Sequence, residues 1–249
     1  MRPVSQELNT GFESEDAIGV IPRQSTLRPI DAKYRAFRYP PNAEGLGLCA
    51  FGMTTIILSF VNLGVAEDES LGLAASFAVF HGGLAQLIAG LFELHLHRFL
   101  SGTAFVTYGV FWLSWGLYEL LLATNAIPAP SPPVPTAKCV WFCVWGVFTA
   151  LLSFTTFYAP KTTRAIQSVL CTLAMVFFFL AGGVYSDVVQ VIGGALGVLC
   201  GSLAVYTGFA ELLLLITRGE EILPLFRVEK NSDSEPHRAS RLEALQRSA

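Results

Sequence analysis

Polar side chains that could handle a proton or an anion interrupt the long apolar runs of this sequence. On one run Gly82, Gln86, Ala89 and Glu93 recur at spacings of 4, 3 and 4, which places an amide and a carboxylate on one helix face. His81 lies near the middle of the same run and is a candidate proton-handling group, with a hydrogen-bonded structural histidine as the alternative. Such a polar face is expected to look inward, toward other helices or water.

Three carboxylates stand near the ends of apolar runs. Glu93, Glu119 and Glu211 each belong to a Gly-x-x-Glu-Leu pattern. A carboxylate that packs within protein at the end of a membrane span is costly, which favours a functional role. A simple position at the headgroup boundary explains the pattern equally well. We keep Glu93 and Glu211 as candidate pathway residues.

Arrangements typical of enzyme catalysis are missing from the sequence. There is no Ser/His/Asp set, no GxGxxG motif and no phosphate-binding loop, so we predict no catalytic residue, no enzyme activity and no cofactor. Cys139 and Cys143 share a helix face, but no nearby His or carboxylate completes a zinc site, and no metal site is predicted. The formal charge of −3 and the lack of a basic patch exclude a nucleic-acid partner.

The elements that must position these groups are membrane-spanning helices. Of the 249 residues 53% are hydrophobic and only 14% are charged, whereas about 25% are charged in a typical soluble domain. Six runs free of Asp, Glu, Lys and Arg are each long enough to cross a bilayer as one helix: 45–66, 70–92, 99–118, 139–160, 165–186 and 188–210. We predict an all-α membrane protein whose six transmembrane helices form a channel-like bundle.

The basic residues predict the orientation of that bundle. They precede the first span or follow every second one, while the alternate loops carry only Lys138, so both termini should be cytoplasmic. The predicted organisation is a polar, disordered tail at 1–41, a six-helix transporter domain at 42–217 and a second polar cytoplasmic tail at 218–249.

Small residues on the sixth span predict close helix packing. Gly193, Gly197, Gly201, Ala204 and Gly208 follow one face, as in helix pairs that approach closely in lipid. The partner surface lies either within the protomer or between protomers.

The first span begins after two prolines with Asn42, which can cap a helix. The positive end of that helix dipole could attract an anion. Gly47, Phe51 and Thr55 follow on one stripe of the same helix and are further candidates for contact with a substrate.

The segment NAEGLGLCAFGMTTIILSFVNLG at 42–64 resembles the first helix of the acetate uptake transporter family, also called the GPR/FUN/YaaH family. Members begin with Asn-Pro-Ala-Pro-Leu-Gly-Leu followed by Phe-Gly-Met-Thr-Thr. Asn42 and residues 46–48 retain the first motif, and residues 51–55 retain the second. Further matches are GGLAQLIAGLFE at 82–93, TAFVTYGVFW at 103–112, WGVFT at 145–149 and ILPL at 222–225.

One departure from the family pattern is a new charge. Ala43, Glu44 and Gly45 replace the motif's Pro-Ala-Pro, so a carboxylate stands where an anion would enter. His81 also replaces a tyrosine that many relatives carry.

The resemblance implies a six-helix protomer with its own pore, assembled as a homohexamer in membrane lipid. It implies transport of acetate and related short carboxylates, including succinate in some members, with proton coupling as an option. A hydrophobic constriction is carried over onto Phe51, Tyr108 and Leu173. The full set of candidate pore or substrate-binding residues is Asn42, Leu46, Gly47, Phe51, Thr55, Gln86, Glu93, Tyr108, Leu173 and Glu211.

Two alternatives remain at this point. One is an ammonium-handling channel, and the other is a transport-inactive membrane sensor or regulator of the same fold. The plasma membrane is the expected location, with an internal membrane as the alternative.

Overall fold

The computed structural model describes residues 42–66, 70–128, 135–159 and 162–228. Within them six helices are long and apolar enough to cross a membrane: α1 Glu44–Asn62, α2 Leu71–His95, α3 Phe99–Ala123, α4 Pro135–Thr156, α5 Arg164–Gly183 and α6 Asp187–Ile216. The predicted all-helical class and the six spans are confirmed. The tail at 1–41, most of the tail at 218–249 and the tip of the proline-rich loop at 129–134 lie outside the described residues.

Three helices continue past the carboxylates at which the charge-free runs stop. The end of α2 is His95, the end of α3 is Ala123, and α6 extends to Ile216. The charge-free runs that stop at 92, 118 and 210 are therefore shorter than the helices that contain them, because a carboxylate that pairs or packs inside protein does not end a membrane helix. Glu93 and Glu211 thus belong to the helical bundle rather than to its connecting loops.

The interior of α2 is not regular α-helix. Residues Ala78–Ala85 form a π-helical segment that contains His81 and the pair Gly82 and Gly83. A π segment changes the register of the side chains on either side of it and is frequent at functional sites. The apolar periodicity of the sequence gave no sign of it.

Backbones pack closely between α1 and α2, α2 and α3, α4 and α5, and α5 and α6, and α6 packs most extensively on α1. Aromatic contacts join α3 to α4, as between Phe111 and Trp141, whose ring centroids are 4.9 Å apart. The main hydrophobic core lies between the helices and includes Phe51, Tyr108 and Leu173. Large apolar side chains such as Phe80 and Leu151 cover the outside, where a soluble protein would be polar.

Glycine allows the close approach of α1 and α6. A Cβ atom on Gly52 would lie 2.6 Å from the carbonyl oxygen of Gly201, and one on Gly45 would lie 3.0 Å from that of Gly208. Real Cβ atoms do not approach a carbonyl oxygen as closely as 2.6 Å, so no larger residue fits at Gly52 without moving the backbone. The small-residue face of α6 therefore has its partner surface within the protomer.

Candidate functional site

The candidate site lies along the inner faces of the helices and begins at the end of the bundle that carries Arg98. This end, called the Arg98 end below, comprises the first turns of α1, α3 and α5 and the last turns of α2, α4 and α6. Two groups of side chains are stacked there. The ionic layer consists of Glu44, Glu93, Arg98, Glu211 and Arg227, and the aromatic layer is centred on Phe51 and Tyr108.

Glu93 is the buried anchor of the ionic layer. Its side chain is fully buried, and its Oε1 accepts the backbone N–H of Ala43 at 2.5 Å. Oε2 accepts the hydroxyl of Ser101 at 2.7 Å and pairs with Nε of Arg98 at 3.0 Å. One carboxylate thereby ties the start of α1 to the end of α2 and the start of α3. This pattern favours a positioning role, since both oxygens are already engaged by protein donors.

Glu44 is bound quite differently. Its Oε1 lies 2.5 Å from a terminal nitrogen of Arg98, and its side chain is 15% exposed. Its backbone N–H donates to Oδ1 of Asn42 at 3.2 Å, so Asn42 bonds to the helix start although Ala43 is the capping position. The new carboxylate of the altered motif therefore pairs with Arg98 and shares that guanidinium with Glu93.

A short segment after α6 completes the ionic layer. We call residues 221–228 the C-terminal strap. Its backbone carbonyls accept the N–H groups of Arg164 and Ala165 at the start of α5, at 3.0 and 3.4 Å. Arg227 of the strap lies 4.0 Å from Glu211 and 3.3 Å from Glu221. Leu225 is fully buried beneath it.

The aromatic layer lies two to three turns deeper. Phe51 and Tyr108 are 5% and 3% exposed, and their ring centroids are 5.9 Å apart. Leu173, 3% exposed, belongs to the same core cluster. Each of the three lies at about 10 to 14 Å from the start of its own helix, by the rise of an α-helix. They therefore occupy one level of the bundle.

The hydroxyl of Tyr108 is not free to bind a carboxylate. It donates to Oγ1 of Thr149 at 2.9 Å, and Thr149 in turn donates to the carbonyl of Trp145 at 2.7 Å. The ring of Tyr108 also contacts those of Trp145 and Phe148, at 6.1 and 6.0 Å between centroids. Tyr108 thus faces the core as a bulky apolar group whose orientation α4 fixes.

Polar atoms without partners lie at the level of the aromatic layer and about one turn beyond it. Among the described residues, Oε1 of Gln86 and Nε1 of Trp112 have no hydrogen-bond partner, although the side chains are 1% and 3% exposed. Gly82 packs against Trp112 and Thr54, since its missing Cβ would lie within 2.9 Å of both. Buried polar atoms usually find a partner, so this level suits a small polar ligand or water.

The other candidates make contacts outside the two layers. Leu46 is 49% exposed and points away from the interior of its protomer. His81 lies in the π segment with its ring 4.6 Å from that of Phe77, and its Nε2 has no hydrogen-bond partner among the described residues. Thr55 is buried and donates its hydroxyl to the carbonyl of Phe51 at 2.8 Å. Gly47 is the contact point for the ring of Phe105.

Sequence reasoning missed the partners that hold these groups. Arg98 counted only as a topological charge, although it pairs with a residue 54 positions earlier. Ser101 and Thr149 carried no signal, because a hydroxyl in an apolar run resembles any other small residue. The strap was visible as the ILPL match, without an indication of its position.

Comparison with known proteins gives a consistent picture. Residues 24–217 match the family model described as the GPR1/FUN34/yaaH family. The succinate-acetate/proton symporter SatP of Escherichia coli K12 is 34% identical over 174 residues, which is 69% of this chain and 88% of that protein. The ammonia transport outward protein 2 of Saccharomyces cerevisiae is 32% identical over 68% of this chain and 60% of its own length.

A solved structure is similar to the same region. The structure of the bacterial acetate channel SatP superposes with a TM-score of 0.68 at 32% identity, covering 75% of this chain and 99% of that one.

Proposed function

Because this chain belongs to the GPR1/FUN34/yaaH family, we propose that it transports acetate across a membrane through a path within its own helix bundle. The protein is an integral, multi-pass membrane protein with six spans. Its described relatives are transporters or channels, and we propose that it likewise has no enzymatic activity.

The alignment of the two layers supports this proposal most directly. Glu44, Leu48 and Phe51 recur at spacings of 4 and 3 on α1, so the ionic layer and the aromatic layer share one helix face. Ser101 and Tyr108 share a face of α3 in the same way, seven residues apart. A solute that enters between these faces meets charge first and apolar bulk about 10 Å deeper.

This order suits a small amphiphile with a carboxylate head and a methyl group. The guanidinium of the ionic layer attracts the head, and the aromatic layer accepts the methyl while it excludes hydrated ions by dewetting. At this layer and about one turn beyond it, Gln86 and Trp112 offer polar contacts to the head again. We propose Phe51, Tyr108 and Leu173 as the selectivity constriction, with succinate as a larger candidate substrate.

Uptake of labelled acetate by the purified protein in proteoliposomes tests the function. Saturable uptake above that of protein-free liposomes is expected. A flux of ammonium without acetate would instead indicate the ammonium-handling alternative, and the absence of any flux would indicate a sensor. Uptake at several values of pH, with Phe and Asn variants of His81, tests whether His81 takes part in proton movement.

We also propose that the protomers assemble as homohexamers, most simply in the plasma membrane. The family resemblance implies this assembly, and the apolar outer surface offers area for contacts with lipid and with other protomers. Native mass spectrometry from a mild detergent measures the number of protomers, and a monomer or a dimer as the main species would contradict the assembly.

A further inference from the structure

Arg98 contacts two carboxylates, one of them fully buried and the other partly exposed. Its Nε pairs at 3.0 Å with Glu93, whose carboxylate is fully buried and accepts two further hydrogen bonds. A guanidinium has five donors in a rigid planar fork. Because Glu93 holds Nε, the two terminal nitrogens, which form the outer edge of the guanidinium, have a defined position at the mouth of the path.

Glu44 contacts one nitrogen of that outer edge, Nη2. Among the described residues the Glu44 carboxylate has Arg98 as its only hydrogen-bond partner. Its side chain is 15% exposed and that of Arg98 is 30% exposed, so water reaches the pair. Glu44 keeps some contact with water if it releases Arg98, whereas the charge of Glu93 would be left fully buried.

Glu44, which contacts this edge, carries the same carboxylate group as the proposed substrate acetate. A glutamate side chain ends in a carboxylate on a methylene group, which resembles the carboxylate on a methyl group of an acetate ion. Glu44 also lies on the α1 face that continues through Leu48 to Phe51. A carboxylate bound by Arg98 therefore stands at the head of the route toward the aromatic layer.

We propose that the exposed edge of the Arg98 guanidinium is a binding site for the carboxylate of the substrate, and that Glu44 occupies it in the substrate-free protein as a tethered competitor. This inference rests on the proposed transport of acetate. Substrate and Glu44 exchange at one site, while Glu93 stays paired with Nε of the same guanidinium. This competition lowers the apparent affinity of Arg98 for the substrate. Glu44, the new residue of the altered first motif, thereby helps to determine how tightly the substrate binds.

Glu44→Gln separates this role from a structural one. The amide keeps the size of the side chain but competes weakly for Arg98, so KM for acetate should fall about two- to five-fold, the range of a partly exposed ion pair. The maximal rate should stay within a factor of two. Glu220→Gln is the matched control, since it removes one negative charge from an exposed side chain at the same end of the bundle and should leave KM unchanged.

Binding is measured separately from transport, as the rise in Tm of the detergent-solubilised protein with added sodium acetate against sodium chloride. The rise should begin at a lower acetate concentration in Glu44→Gln than in the unaltered protein. Arg98→Lys keeps the charge and a partner for Glu93 but loses the second edge of the fork. It should raise KM, and adding Glu44→Gln to it should restore little.

The outcomes distinguish this inference from the proposed function. Acetate uptake by the unaltered protein together with an unchanged or raised KM in Glu44→Gln would overturn the inference alone. If the unaltered protein shows no uptake, the transport proposal fails, and the acetate dependence of Tm still decides whether Arg98 binds carboxylates. If Tm depends on acetate concentration in the same way in Glu44→Gln and in the unaltered protein, the proposed competition at Arg98 is overturned.

Discussion

Glu93 is fully buried, and both of its carboxylate oxygens have partners. Substitution of Glu93 should therefore lower the stability of the fold. Glu93→Gln keeps the shape but removes the charge that faces Arg98 Nε. Breaking a buried pair by altering one partner costs about 3 to 5 kcal/mol, so Tm should fall by about ten degrees. Thermal unfolding in detergent measures it. Glu119→Gln is the control, because that carboxylate, at the opposite end of α3, makes no salt bridge within the described residues, and an equal fall in both variants would contradict the anchor role.

Phe51 decides whether the aromatic layer is a constriction or only a core. Phe51→Ala should widen uptake toward succinate and other larger carboxylates, because less bulk lowers the dewetting barrier. Phe111→Ala is the control, since Phe111 is equally buried but stacks on Trp141 instead of facing Phe51. Either truncation costs about 3 to 5 kcal/mol of packing. If both variants lose expression alike, or if Phe51→Ala keeps its size selectivity, the constriction lies elsewhere.

The Tyr108 hydroxyl, which is hydrogen-bonded to Thr149, can be tested separately from the aromatic ring. Tyr108→Phe keeps the ring and deletes only the donor to Thr149. Because that donor is already used within the protein, selectivity for size should not change and acetate should still be transported. A large loss of acetate affinity would mean that the hydroxyl turns to the substrate.

At the scale of residues, motifs predicted candidate side chains but not the contacts that hold them. The family motifs carried Phe51 and Tyr108 to one level, and the structure has their rings in contact. Arg98 and Glu44 are 54 positions apart, and no local pattern records such a pair. Glu44 therefore looked like an unpaired charge until the fold was known.

At the scale of elements, α6 depends on small residues where it meets α1. A Cβ on Gly201 would lie 2.7 Å from the carbonyl oxygen of Gly52, so Gly201→Leu must push the two backbones apart. Overpacking of this kind costs about 1 to 3 kcal/mol or more, which should lower both the yield and Tm. Gly72→Leu is the control, because a Cβ there meets nothing within 4 Å. Normal yield and Tm of Gly201→Leu would contradict the close approach.

The C-terminal strap supplies what the start of α5 lacks. The N–H groups of a first helical turn have no partners within the helix, and here strap carbonyls accept two of them. Leu225→Ala leaves a cavity beneath the strap and should cost about 2 to 5 kcal/mol. Ile222→Ala, on a side chain that is 55% exposed, should cost much less. A lower Tm for Leu225→Ala than for Ile222→Ala would show that the strap packs against the helix bundle. Equal Tm values would mean that it does not.

Periodicity and charge predicted the number of elements better than their ends or their regularity. The six spans follow from apolar length alone. The π segment at Ala78–Ala85 and the extension of α6 to Ile216 depend on packing partners that the sequence does not name. The stripe on α6 predicted close packing, and Gly52 and Gly45 identify α1 as the partner only in the folded bundle.

At the scale of the whole molecule, the two ends of the bundle differ in the number of basic residues. Within the described ranges, Arg98, Arg164, Arg218 and Arg227 lie at the Arg98 end, whereas Lys138 lies in the first turns of α4 at the other. Basic residues remain preferentially on the cytoplasmic side. The Arg98 end should therefore face the cytoplasm, so that the ionic layer receives carboxylates leaving the cell or releases those entering it.

Two exposed positions test this orientation in intact cells. In a background without the five native cysteines, Ala126→Cys places a thiol after α3, at the end opposite Arg98, and Glu220→Cys places one after α6, at the Arg98 end. A membrane-impermeant maleimide should label Ala126→Cys from outside and Glu220→Cys only after the cells are permeabilised. Labelling of both from outside would indicate a mixed topology or leaky cells, which a cytosolic marker protein detects. The reverse pattern would place the ionic layer outside, and Arg98 would then meet the carboxylate before it crosses the membrane from the medium.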